Sequence, residues 1–84
     1  MSTTKIDSML YAIEAELMKR QGVDAAHRAL APLSWYINTG RASTAFLHAL
    51  AAARPVLIAR DLAKGGSYED AVNRVCRRIK YERS

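Results

Sequence analysis

The stretch GGSYEDAVNRVCRRIKYERS, residues 65–84, holds a helix start, an apolar face and a charged face in one run. Gly65-Gly66 interrupts whatever precedes it. Ser67 followed three residues later by Asp70 is a variant of the Ser-x-x-Glu capping box, in which a hydroxyl oxygen accepts from a free amide of the first turn. Glu69 and Asp70 also suit the positive end of the helix dipole. Tyr68, Val72, Val75, Cys76 and Ile79 recur at three- and four-residue spacing and predict one buried face. Arg74, Arg77, Arg78 and Tyr81 share another face, flanked by Lys80 and Arg83. The segment reads as an amphipathic helix with a basic outer side.

The same punctuation organises the rest of the chain. Gly22 and Gly40, with the Gly65-Gly66 pair, divide it into four segments of helical length, and glycine is the favoured residue just past a helix end. The first helix is expected over about Thr4–Gln21, with Ile6, Leu10, Ile13 and Leu17 as its inner stripe and Met9 at the edge. The second starts at Asp24 as N-cap and ends near Asn38–Thr39, with a stripe of Val23, Ala26, Leu30, Leu33 and Ile37. The third begins at Ser43 or Thr44. Its run Ala49–Ala53 of small and apolar residues predicts close packing on several sides, with Leu50 at the packed centre. Pro32 and Pro55 lack the amide hydrogen a helix interior needs, so each must kink or break its helix. Fifteen alanines and eight leucines stand against four valines and one phenylalanine. That bias favours helix over strand. The expected fold is all-α, a small compact bundle of four helices, or five to six if the two prolines break theirs.

With 84 residues, half of them hydrophobic and a quarter charged, residues 1–84 are expected to form a single helical domain. No run approaches the ~20 apolar residues of a membrane span. The opening MSTTKIDSML has no apolar signal core, so a cytoplasmic address is expected. One cysteine excludes an internal disulfide, and two histidines with that cysteine do not make a zinc site, so no metal or cofactor is expected.

Catalytic groupings are missing. Glu14 and Glu16 point to different sides of a helix. His27 lies one turn from Asp24 and reads as a surface residue facing it. His48 reads as half-buried, and Cys76 as a small core residue. Gly65-Gly66-Ser67 lacks the lysine and preceding strand of a phosphate loop. The chain is therefore read as a binding protein and not an enzyme.

Charge is the distinguishing feature. Residues 1–40 carry four basic and four acidic groups, so the whole net charge of +5 resides in residues 41–84. Guanidinium forks match phosphate geometry, which makes Arg74, Arg77, Arg78, Lys80, Tyr81 and Arg83 the candidate contact set for nucleic acid or a nucleoprotein. An acidic protein partner satisfies the same charges, and a solvated helix face accounts for them without any partner. Because they lie off the apolar stripe, Arg74, Arg77 and Arg78 are expected to be replaceable without loss of fold. Tyr11, Ala15 and Met18 form a second, weaker stripe on the first helix, a candidate surface for homodimerisation in so small a domain. Ala59, Leu62, Gly65, Ser67, Val72 and Arg74 loosely match a helix-turn-helix pattern, with a turn too long for the usual spacing.

In size, single-domain organisation and want of catalytic groups, the chain is similar to small proteins of phages and plasmids. These include transcription regulators and inhibitors of host defence such as anti-CRISPR proteins. No motif accompanies the likeness, and no residue role follows from it. It adds an alternative expectation: an inhibitor or adaptor that binds a host protein complex.

Overall fold

Five α-helices follow one another with connections of one to five residues: α1 (Thr3–Gln21), α2 (Val23–Asn38), α3 (Thr44–Ala52), α4 (Pro55–Ala63) and α5 (Tyr68–Arg83). The structure is a computed structural model that describes the backbone of residues 3–83 and the side chains of residues 5–80. No strand occurs among the described residues, and no helix is long and apolar enough to cross a membrane. The all-α bundle expected from the sequence is what the chain forms, in its five-helix version.

The two prolines behave differently. Pro55 breaks the chain: Ala53 and Arg54 are extended, and Pro55 becomes the first residue of α4. That position suits proline, because the missing N–H has no intrahelical partner there. Pro32 sits inside α2, which continues through it between the buried Leu30 and Leu33. Core burial on both sides of the proline holds a helix that propensity alone disfavours.

One apolar cluster draws on all five helices, with Ile13 and Leu17 from α1, Leu33 from α2, Leu50 from α3, Ile58 and Leu62 from α4, and Val75 from α5 at its centre. On α1 the buried stripe is Ile6, Met9, Ile13 and Leu17, with Leu10 half-buried, a small rotation from the expected face. Val23, placed by spacing on the α2 stripe, is exposed because Gly22 alone joins α1 to α2 and α2 begins at the outer corner. Asp24 accordingly lies in the first turn of α2 and does not cap it; the N-cap is Gly22. Leu50 is fully buried as expected, and the Ala49–Ala53 run packs against α1 and α5, with Ala53 buried and Ala49 and Ala51 half-buried. Within α3 itself Leu50 is the one buried residue, and Ala45, His48 and Ala52 face solvent. Phe46 and Ala49 pack against the core beside Leu50, so α3 has one half-buried face and one exposed face.

The helix ends set up the functional surfaces. At the end of α2, Gly40 N–H donates to the Ile37 carbonyl and Arg41 N–H to the Tyr36 carbonyl, the paired bonds of a Schellman motif. Gly40 has φ +75, and the reversal folds Arg41 back over the last turn. Between α4 and α5, Gly65 and Gly66 are both left-handed, at φ +73 and +97. Two successive residues of that kind are cheap only for glycine. The Ser67 hydroxyl then accepts from Asp70 N–H at 3.2 Å, as its capping position predicted.

Candidate anion-binding and aromatic clefts

The α4–α5 pair joins helices through the four-residue turn Lys64–Ser67 and places a carboxylate beneath the basic face. Asp61 belongs to the buried side of α4, beside Ile58, Ala59 and Leu62, with 7% of its side chain exposed. A buried carboxylate needs partners, and Arg78 of α5 supplies them. Its Nε donates to Asp61 Oδ2 at 2.9 Å and its Nη2 to Oδ1 at 3.4 Å, a two-pronged contact. Lys64 Nζ stands 3.9 Å from Oδ1. Arg74 reaches back across the turn and donates from Nη1 to the Gly65 carbonyl. Arg77 is exposed.

Together Asp61, Lys64, Arg74, Arg77 and Arg78 line an open cleft of ≈370 Å³. The lining carries four cations and one carboxylate, with the exposed Lys64 and Arg77 at its outer rim and the Asp70 carboxylate near Arg74 beside Gly66. The expected arginine face is therefore divided by role. Arg77 is turned outward, while Arg74 and Arg78 also tie α5 to the turn and to α4. These contacts give Arg74 and Arg78 a structural role that the sequence did not reveal, beside the outward-facing Arg77. Lys80 is exposed on the same helix. The side chains of Tyr81 and Arg83 lie outside the described residues.

A second cleft, of ≈450 Å³, opens between the end of α2 and the start of α5. Trp35, Tyr36, Arg41, Tyr68, Glu69, Val72 and Asn73 line it. Trp35 is 47% exposed, an unusual setting for the largest apolar side chain. Tyr68 meets it edge-on, with centroids 4.9 Å apart, and the Arg41 guanidinium lies 4.8 Å from its ring centre. The Tyr68 hydroxyl is buried and has no hydrogen-bond partner among the described residues.

The other expected residues are scattered. Tyr11 is 76% exposed and lines a cleft with Asp7, Leu10, Glu14, Leu30 and Ser34. Ala15 is exposed, but Met18 is half-buried against the core, so the Tyr11–Ala15–Met18 stripe is only partly a surface. His27 faces Glu14 of α1, with Nε2 3.6 Å from Oε2, and not Asp24. His48 is exposed where a half-buried position was expected. Cys76 is half-buried at the edge of the α5 stripe, and burial pushes its thiol above the ordinary value. That keeps it protonated and unreactive at neutral pH. No group of three or more His, Cys, Asp or Glu able to hold a metal occurs among the described residues.

Sequence reasoning missed Asp61, Lys64, Trp35, Arg41 and Asn73. Asp61 left a signal, a lone carboxylate within the apolar run from Val56 to Ala63. Nothing local ties it to an arginine seventeen residues away. Comparison of the chain with protein-family models, curated protein sequences and solved structures finds no match.

Proposed function

We propose that this chain is a non-catalytic helical binding protein, cytoplasmic in setting, that contacts nucleic acid or a nucleoprotein through the basic cleft between α4 and α5. The observation that carries the reading is the concentration of Lys64, Arg74, Arg77 and Arg78 around a single carboxylate in an open cleft. Asp61 orients Arg78, and the Gly65 carbonyl orients Arg74, so part of the cation set is fixed before any phosphate arrives. Pre-ordered guanidinium groups lose less side-chain freedom on binding. The acidic start of α5, Glu69 and Asp70, argues against insertion of that helix end into a major groove, so the contact is read as one to the phosphate backbone.

Fluorescence anisotropy with labelled single-stranded DNA, RNA and duplex across a salt series tests the reading. The Lys64→Ala/Arg77→Ala variant removes two exposed cations and leaves the Asp61–Arg78 contact in place. Its slope of log affinity against log salt is expected to shrink by up to about 1.8 units on duplex DNA. An unchanged slope in a folded variant refutes the cleft as a phosphate site.

A second reading, an inhibitor or adaptor of a host protein complex like those of phages and plasmids, is supported by the exposed Tyr11 in its acidic-rimmed cleft on α1 and α2. Affinity purification from the native host with and without nuclease separates the two. A stoichiometric protein retained after nuclease treatment favours the second reading.

A further inference from the structure

We infer that the aromatic cleft between α2 and α5 is a nucleobase-stacking site, which makes single-stranded nucleic acid the ligand class of this chain; the inference rests on the phosphate-binding reading of the adjacent basic cleft. Four features converge on it. Trp35 presents a half-exposed indole at the mouth of a ≈450 Å³ cleft, a volume within the roughly 300–1,000 Å³ of small-ligand pockets. The guanidinium of Arg41 lies over that indole, held there by the Schellman turn, and a planar base extends such a stack. Asn73 and Glu69 on the α5 wall supply an amide and a carboxylate, the groups that pair with base edges. Asn73 and Arg77 are exposed and one helical turn apart, so the aromatic cleft and the basic cleft adjoin along α5. A base seated against Trp35 leaves its phosphates beside Arg77.

The same geometry disfavours the other ligand that aromatic clefts attract. A quaternary ammonium or other cation would sit against the positive charge that Arg41 already holds over the Trp35 ring, a repulsion that a neutral base does not meet. A duplex is disfavoured as well, because its bases are stacked on one another and only an unpaired base presents a free π-face.

Trp35 is the only tryptophan in the chain, so fluorescence excited at the red edge of the indole band, where the four tyrosines hardly absorb, reports this cleft. The full-length protein is titrated with a single-stranded oligonucleotide, an abasic sugar-phosphate tract of equal length, a duplex of the same sequence, and tetramethylammonium. The expected result is saturable quenching by the single strand, with affinity about tenfold or more above that for the abasic tract and the duplex. Trp35→Ala, checked for helix content by circular dichroism, is expected to bring the single strand down to the affinity of the abasic tract. Equal affinities without quenching overturn the stacking site while the phosphate reading stands. No binding by any nucleic acid overturns both. Quenching by tetramethylammonium but not by the oligonucleotide assigns the cleft to a cation and overturns the proposal.

Discussion

Arg78→Met keeps an unbranched apolar stem over Asp61 and removes every donor the carboxylate has from α5. The carboxylate is then left with 7% of its side chain exposed and, among the described residues, Lys64 at 3.9 Å as its remaining ion-pair partner. Breaking a buried ion pair by deleting one partner costs about 3–5 kcal/mol. Arg78 is 32% exposed, so water and Lys64 reach the site, and we place the loss at about 2–3 kcal/mol. A chain of this length has a total stability of about 4–12 kcal/mol. The melting temperature should therefore fall by about 10–20 °C. Urea denaturation followed by circular dichroism gives the free energy directly. Asp61→Leu combined with Arg78→Met removes both charges and should lie closer to the parent than Arg78→Met alone, because the penalty belongs to the stranded carboxylate and not to the absent pair. If Arg78→Met melts within a few degrees of the parent, or the double variant is the less stable of the two, the Asp61–Arg78 contact does not organise the α4–α5 pair.

Other substitutions probe the same logic elsewhere. Leu50→Ala should cost about 2–5 kcal/mol in chemical denaturation, since Leu50 is the sole fully buried residue of α3; a loss under 1 kcal/mol would show that α3 is not pinned there. Tyr68→Phe removes a buried hydroxyl that has no partner among the described residues and should leave stability unchanged or raise it by about 1 kcal/mol, whereas a clear loss would mean that the hydroxyl is bonded. Gly40→Ala places a side chain at φ +75 and should destabilise by about 1 kcal/mol; because Arg41 shifts with the turn, Trp35 fluorescence should change too. Burial raises the Cys76 thiol above its unfolded value, so its stabilising contribution is full at neutral pH and is lost as alkaline pH passes through the thiol range. Cys76→Ala should flatten that part of the stability–pH profile, and a profile identical to the parent's counts against the shift.

How much of the fold is legible in the sequence depends on the range of the interaction involved. Helix identity and helix ends follow from effects spanning one turn. Alanine and leucine content, glycine stops, the Ser43 and Ser67 caps and the three-to-four spacing of Ile13, Leu17, Val75 and Ile79 all act within four residues. They suffice to set the all-α class and most element boundaries. Burial does not yield to the same reasoning when composition and position disagree. His48 lies in an apolar helix yet faces solvent, and Val23 has the right spacing but stands at a helix corner.

The basic character of α5 was also legible, because charge is additive along a chain. What each arginine does was not. Arg77 and Arg78 both fall off the apolar stripe in the sequence, but packing of α5 against α4 sets one in solvent and the other on a buried carboxylate. Trp35, Arg41 and Tyr68 come from three separate segments and meet only because the α2 turn and the Gly65-Gly66 turn bring them to one place. Pro32 and Pro55 draw the same local penalty, and only the core on both sides of Pro32 keeps its helix continuous while Pro55 begins a new one. Secondary structure was fixed by local backbone and side-chain preferences. Tertiary packing alone decided which charges are paired, which aromatics are exposed and which proline breaks its helix, because those outcomes depend on groups many residues apart competing for the same buried space.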